Sequence, residues 1–341
     1  MRCTRMSAPA LAIATMAPIA AALAQGALQP TEWQVPWSNT RPRDPIMDAS
    51  GRVWFVGQEG NYVAYLDSKS GEFKRYGIDD GTFPHNINLD ERGGVWFTGN
   101  RNGKLYSIDP KNGELKRIVL DEAVRDPHTM IWTANGIAWF TAQQSNYVGR
   151  LDRSTGAVRL WKIADRGARP YGIVVDRSGR PWFDLFGTNK IGTIDPRTLE
   201  LREYPLPNER ARPRRIALTS DGAVWYGDYS RGFLGRLDPA TGSVTEWPLP
   251  SGAQSLPYAM TSDDRDRLWL VETGVQPNRL VAFDAGARRW VANVPVVSNG
   301  ATANTVRHMT FDRATRQIWF GTDAGTIGAL KVPIQLEALT P

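Results

Sequence analysis

Short runs of alternating apolar and polar residues, four to six long, follow one another through this chain, separated by clusters of Gly, Asp, Asn and Pro. A period of two places successive side chains on opposite faces and reads as half-buried β-strand. Residues 84–120 show the unit. The segments 85–89, 95–98, 104–108 and 115–120 read as four strands. Asp90 to Gly94 supplies turn chemistry, and Asn112-Gly113 supplies the positive φ angles of a tight hairpin. Four short antiparallel strands in about forty residues describe one blade of a β-propeller.

The unit recurs. Trp54, Trp96, Trp139, Trp182, Trp225, Trp269 and Trp319 are each followed by a bulky apolar residue: Phe55, Phe97, Phe140, Phe183, Tyr226, Leu270 and Phe320. The steps between these tryptophans are 42, 43, 43, 43, 44 and 50 residues. A period in the forties means one supersecondary unit used repeatedly, which buries its faces only by stacking on its neighbours. The expected fold is therefore all-β, a seven-bladed β-propeller of four-stranded antiparallel blades. Asp67, Asp109, Asp152, Asp195 and Asp238 fall 13 residues after their tryptophans and are expected to bond turn backbone. Asp284 comes 15 after Trp269, so the sixth blade carries an insertion. The seventh unit lacks a fourth strand of its own. Thr31-Glu32-Trp33-Gln34-Val35 closely resembles the fourth strand of blade five, Thr245-Glu246-Trp247-Pro248-Leu249. The N-terminal strand is expected to complete the last blade, closing the ring and covering a free edge.

Composition adds a location. Arg2 and Arg5 precede an apolar, alanine-rich stretch from about Ala8 to Ala24, and Ala22-Leu23-Ala24 fits a small-x-small cleavage site. Residues 1–24 read as a secretory signal peptide, with a retained membrane anchor as the alternative, and residues 25–341 as a single domain. The expected location is periplasmic or secreted, with no membrane span after cleavage. The single cysteine, Cys3, lies in that leader, so the mature chain has no disulfide and no thiolate metal site. The formal charge is +6, and removing Arg2 and Arg5 takes two of these charges away. The remainder is spread over many units, which argues against nucleic-acid binding. A closed ring has no need of a partner subunit, so a monomer is expected.

The repeat also locates candidate chemistry. Eleven residues before each tryptophan stand Arg43, His85, His128, Tyr171, Arg214, Tyr258 and His308, six of them preceded by proline. All three histidines of the chain share this offset. Random scatter would put each one there about one time in forty. The innermost strand of a propeller blade lines the central channel, so these residues are expected to ring the channel mouth. Arg125, Arg169, Arg212, Arg215 and Arg307 lie within two residues of the ring. Arginines so gathered suit a carboxylate or other anion, in a small molecule or peptide. The ring could instead simply shape the strand starts, its tyrosines and histidines bonding neighbouring backbone. Residues leaving the second strands form an outer set: Gln58, Asn100, Gln143, Phe186, Asp228, Tyr229, Glu272 and Asp323. Histidine with Asp126, Glu272 or Asp323 would suit a divalent metal ion, although no single blade carries a full set.

Pro170-Tyr171-Gly172-Ile173, then Trp182-Phe183, then Asn189-Lys190-Ile191-Gly192-Thr193-Ile194-Asp195 resembles the repeat of the virginiamycin B (streptogramin B) lyases and their exported relatives. The resemblance covers about residues 31–332. It implies a seven-bladed propeller that opens a cyclic depsipeptide at its ester by elimination. In that chemistry a histidine removes a carbon-bound proton, and Mg2+ held by acidic groups stabilises the enolate. Matched in chain order, His308 is the seventh-blade histidine. Tyr258 stands at the sixth-blade histidine, Arg43 at a first-blade tyrosine, and Val306 at an acidic position. Thr322 follows Trp319-Phe320-Gly321 where a glutamate is implied, with Asp323 one place late. A shifted match offers His85 and His128 as the histidine pair and Asp126 as the acid, with Ala142 at the glutamate. The resemblance thus implies a lyase-like enzyme with His308, or His85 and His128, as proton acceptor. The incomplete acidic set equally admits a propeller that binds an anionic small molecule, peptide or glycan without chemistry. A lactonase-type propeller with axial Ca2+ is a third reading, against which the cationic ring speaks.

Overall fold

A computed structural model describes residues 28–298 and 305–339, so the expected signal peptide at residues 1–24 lies outside the described residues. Seven four-stranded antiparallel sheets follow one another around a ring. The innermost strands are Pro42–Met47, Pro84–Leu89, Pro127–Trp132, Pro170–Val175, Pro213–Leu218, Pro257–Ser262 and Val306–Asp312. Six blades are built from consecutive strands. In the seventh, Thr31–Gln34 pairs antiparallel with Thr326–Lys331, as the sequence predicts, Trp33 opposite Ile327. Among the described residues no helix is long and apolar enough to cross a membrane.

The repeated tryptophan has two tasks. Its ring fills the space between its own blade and a neighbour. Trp54, for instance, packs with Ile87, Phe97 and Tyr106 of the next blade. One such apolar cluster sits at every blade interface, including that between the last blade and the first, where Trp319 joins Val53 and Phe55. Its indole N–H meanwhile ties down the hairpin between the first two strands. Trp54, Trp96, Trp182 and Trp269 donate to Asp48, Asp90, Asp176 and Asp263 at 2.8–3.2 Å. Trp225 donates to Thr219 instead. The acceptor stands six residues before each tryptophan, at the hairpin turn.

The bulky residue after the tryptophan explains the glycine of the Asn-x-Ile-Gly stretch. Phe183 lies flat over Gly192, and a Cβ there would sit 2.2 Å from the ring. The aspartates at the later offset cap the outer hairpins through backbone N–H groups, as Lys69 and Ser70 do to Asp67.

The seventh blade differs in register. In blade three Ile131 stands opposite Trp139, eight residues on. In blade seven Thr310 stands opposite Trp319, nine residues on. The hairpin there is one residue longer, which moves Asp312 off the indole and onto Thr315. The Trp319 N–H is left without a partner, and the ring stacks on Trp33 at 5.6 Å between centroids.

Two expectations follow. Deleting residues 25–40 removes the strand that completes blade seven and should abolish soluble expression; a folded, monodisperse truncation would reject the closure. Trp269→Phe should destabilise more than Trp319→Phe in urea denaturation. The former removes one hydrogen bond to the buried Asp263 carboxylate, which keeps Arg267, at about 1–3 kcal/mol, whereas Trp319 has no such bond to lose.

Candidate functional site

A β-bulge at the start of each innermost strand shapes the axis. In blade three Pro127 pairs with Ala142 and Met130 with Phe140, and the register slips between them. All seven innermost strands slip at this point. Two residues of the bulged strand then oppose one of its partner. Consecutive side chains, such as those of His128 and Thr129, can therefore approach the axis together, forming two layers.

The first layer holds Arg43, His85, His128, Tyr171, Arg214 and Tyr258, six of the seven residues at the sequence offset. The longer hairpin of blade seven brings Arg307 into this layer and sets His308 one layer deeper. Strand register, which spacing to the tryptophan does not reveal, makes that difference. His85 and His128 lie 3.6 Å apart between ring centroids, and His128 and Tyr171 4.1 Å. The Tyr171 and Tyr258 hydroxyls share a hydrogen bond of 2.6 Å. The Arg214 guanidinium lies 3.6 Å from the Tyr258 ring centroid and 4.4 and 4.8 Å from those of Tyr229 and Phe186. Arg307 lies 5.6 Å from the Tyr258 ring. Arg43 donates to Gln58 at 3.3 Å.

From the sequence this end is either a pocket or a set of side chains that only shape the strand starts. The ring residues are long enough to meet across the axis, while Arg214 and Arg307 stay partly exposed. Arg43, His85, His128, Tyr171 and Tyr258 are only 2–6 % exposed.

The second layer holds Asp44, Asn86, Thr129, Gly172, Arg215 and His308. Sequence reasoning missed Asp44 and Asn86 and took Arg215 only as a neighbour of the ring. Asn86 donates to Asp44 at 2.8 Å and accepts from the Met130 backbone N–H. Arg215 crosses the axis to Thr129 of blade three and to the Arg307 carbonyl of blade seven, both at 3.4 Å. Below this layer the channel opens into a funnel of about 960 Å3. It is lined by the far ends of the innermost strands and the turns after them, such as Asp176–Ser178.

The electrostatics of the axis follow from burial among guanidinium groups. Burial, reinforced by Arg43 and Arg215, holds His85 and His128 well below the usual imidazole range. Burial also pushes His308 down to about 4 against the pull of Asp44. All three histidines are thus neutral at pH 7. His85 donates through Nδ1 to the His128 carbonyl at 3.2 Å, since a carbonyl only accepts. Burial would raise the Asp44 carboxyl, yet it lies below the ordinary range. With His308 neutral, Arg43 and Arg215 are the charges that hold Asp44 ionised. Asp184, wholly buried, is the reverse case: desolvation holds it well above the ordinary range despite Arg215. It stands two residues after Trp182, where blades two and three carry Thr98 and Thr141. Those hydroxyls accept an N–H from the innermost strand of their own blade and donate to the next blade's carbonyl. Asp184 accepts the Gly172 N–H at 3.0 Å, and a proton on the carboxyl gives it the same donor–acceptor character. Burial would raise the Tyr258 phenol, but Arg43, Arg214, Arg215 and Arg307 outweigh it and bring it down to about 7.

The acidic residues considered as metal ligands stay apart. Asp126 accepts backbone N–H groups of Gln144 and Ser145. Glu272 accepts the Ser251 N–H and hydroxyl at 2.8 and 2.6 Å. Asp323 is gripped by Arg307 through two bonds, at 2.9 and 2.6 Å. Among the described residues no group of three His, Cys, Asp or Glu gathers as a metal site. Of the outer set, Gln58, Phe186, Tyr229 and Asp323 reach the ring residues. Of the nearby arginines, Arg215 and Arg307 do so, while Arg125 and Arg212 bond their own loops.

A sequence model of the virginiamycin B lyase family matches residues 30–330. Among solved structures, virginiamycin B lyase from Staphylococcus aureus is similar at TM-score 0.80 and 23% identity, covering 90% of this chain and 100% of that one. A streptogramin B lyase structure is similar at TM-score 0.80 and 24% identity, covering 91% and 98%. The hydrazine synthase of Kuenenia stuttgartiensis is similar at TM-score 0.72 and 15% identity, covering 88% and 98%. No curated protein matches the chain.

The phenol of Tyr258 gives a direct readout. An unfolded tyrosine keeps its proton to about pH 10, whereas this one releases it near 7. Between those values the folded state binds fewer protons, so the contribution to stability rises with pH and is lost as pH falls through 7. Ultraviolet titration should show one tyrosine ionising near pH 7 in the intact protein and none there in Tyr258→Phe. The stability gap between the two in urea should widen from pH 7 to 9, by up to about 1.4 kcal/mol per unit.

Proposed function

The chain belongs to the virginiamycin B lyase family, and from that premise we propose that it is an exported propeller that captures a small anionic molecule at its axis without transforming it. One observation carries the reading. Four guanidinium groups, those of Arg43, Arg214, Arg215 and Arg307, converge around Tyr258. Facing them are the Asp44 carboxylate and the Asp323 carboxylate, the latter taken by Arg307. Burial holds the Asp184 carboxyl well above the ordinary range, which disfavours its charged form. Buried charge without a counter-ion is costly, and a bound carboxylate or similar anion supplies one with bidentate geometry.

The Mg2+ that the family resemblance implies does not fit these residues. Val306 offers no ligand atom, Thr322 is bonded to Thr326, and Asp323 is engaged by Arg307. The surrounding guanidinium groups also repel a cation, so no step is derived through a metal. Export rests on the leader read at residues 1–24.

A second reading keeps the chemistry, and the Tyr258 phenol favours it. As phenolate, Tyr258 would take a carbon-bound proton from a cyclic ester. The electron pair of that C–H bond would form the alkene as the C–O bond breaks, and the arginines would hold the carboxylate released.

Thermal shift against a panel of anionic metabolites separates the two. A ligand at a hundredfold its Kd adds about 2.7 kcal/mol. Under the capture reading that stabilisation should fall sharply in Arg214→Ala and Arg43→Ala. Mass spectrometry should then find streptogramin B and simple lactones unopened. Stabilisation that survives both substitutions would reject the arginine site, and turnover abolished by Tyr258→Phe would favour the second reading.

A further inference from the structure

We propose that the funnel at the far end of the channel is a second, separate site, for a carboxylate bearing an apolar chain, with its head on Arg215 and His308 and its tail along the innermost strands. It goes beyond the capture reading, because the ligand enters from the face opposite the packed ring and, although Arg215 serves both layers, meets His308 and the strand walls in place of Arg43, Arg214 and Tyr258.

The floor of the funnel is polar and has unmet capacity. Arg215 and His308 both line it, with Asn86, Thr129 and Gly172. Arg215 is 3 % exposed, and its Nε is buried without a hydrogen-bond partner. The Nδ1 of His308 is likewise buried without one. The two bonds Arg215 does make are long, 3.4 Å each. A guanidinium held across the axis by such contacts, with Nε free, suits a carboxylate accepting two parallel bonds. Gly172 has no side chain in this layer.

The walls carry apolar groups among polar ones. Ile46, Ile131, Val174, Ile216 and Met260 line the shaft beside Asn88, Thr261 and Thr310. From Arg215 to the end of its strand at Leu218 the backbone rises roughly 10 Å, about the length of an eight-carbon chain. The volume lies within the usual range for small-molecule sites. Acidic residues stand at the rim, but each is already engaged. Asp176 accepts from Ser178 and Trp182, Asp263 pairs with Arg267 and Asp264 with Arg316. Asp266 accepts from Ser220, and Asp312 from Thr315. A cationic floor, a shaft with apolar groups along its strands and a polar rim together suit an amphiphilic monoanion.

The test is calorimetry with acetate, butyrate, hexanoate, octanoate and inorganic sulfate on the intact protein. Affinity should rise with chain length, by up to about fourfold per methylene. Octanoate binding should be lost in Arg215→Met, and in Thr261→Trp, which narrows the shaft at a partly exposed wall position and leaves the axial charges in place. It should persist in Arg214→Ala. Affinity independent of chain length, lost in Arg214→Ala and kept in Thr261→Trp, would overturn the funnel site while leaving anion capture at the ring intact. Failure of every carboxylate to bind would overturn it as well, with the metabolite panel still deciding the ring.

Discussion

No blade of this protein can bury both of its faces alone. Each sheet is apolar on two sides, and its tryptophan and following aromatic find cover only against the next blade. Stability is therefore a property of the closed circle, and the circle must be finished by a strand from the other end of the chain. The pairing of Thr31–Gln34 with Thr326–Lys331 supplies the edge bonds, and Trp33 on Trp319 supplies the apolar cover. Glu32 locks the seam by accepting the hydroxyls of Ser298 and Thr326. With no cysteine among the described residues, packing and these bonds hold the ring shut.

Closure has a consequence at the centre. Seven strand starts converge, each bulged, so twice as many side chains crowd the axis as a regular strand would bring. Aromatic and imidazole rings stack there, and guanidinium groups lie on their faces. The cations suppress protonation of His85, His128 and His308 and favour ionisation of Tyr258. Burial holds one carboxyl, Asp184, well above the ordinary range even so. The axis thus holds more positive charge than its own carboxylates offset, and that imbalance is the chemical character from which both proposed sites derive. The family's fold is kept, and so is the seventh-blade histidine, His308, while Tyr258, Arg43 and Val306 stand at other positions where the resemblance implies working residues.

Much of this was legible in the chain. The tryptophan spacing and the four-strand unit specify seven blades, because a forty-residue period with tight-turn residues admits few other architectures. The likeness of residues 31–35 to residues 245–249 specifies the closing strand. The aspartates after each tryptophan were readable as turn caps, since Asp bonds the backbone within its own few residues. These are local or periodic signals. The acceptor six residues before five of the seven tryptophans was readable in principle too, as a recurring Asp or Thr in the turn, and gives a reason for tryptophan rather than phenylalanine there.

The axis was only partly legible. Offset counting brought together Arg43, His85, His128, Tyr171, Arg214 and Tyr258, because equal spacing means equal place in a repeat. It set His308 in the same layer, since the count cannot distinguish a longer hairpin from a shifted strand. Nor could it show that Asp44, Asn86 and Arg215 also turn inward, because a β-bulge leaves no mark in apolar alternation. Whether the ring is open or packed shut depends on how far seven side chains from distant residues reach across a shared axis. The charge state of Asp184 and Tyr258 likewise depends on neighbours 30 to more than 200 residues away in the chain. The sequence determined the repeat, the fold and the kinds of groups that meet; tertiary structure alone decided their depth, their contacts and their protonation, because burial and distance between remote residues exist only once the ring has closed.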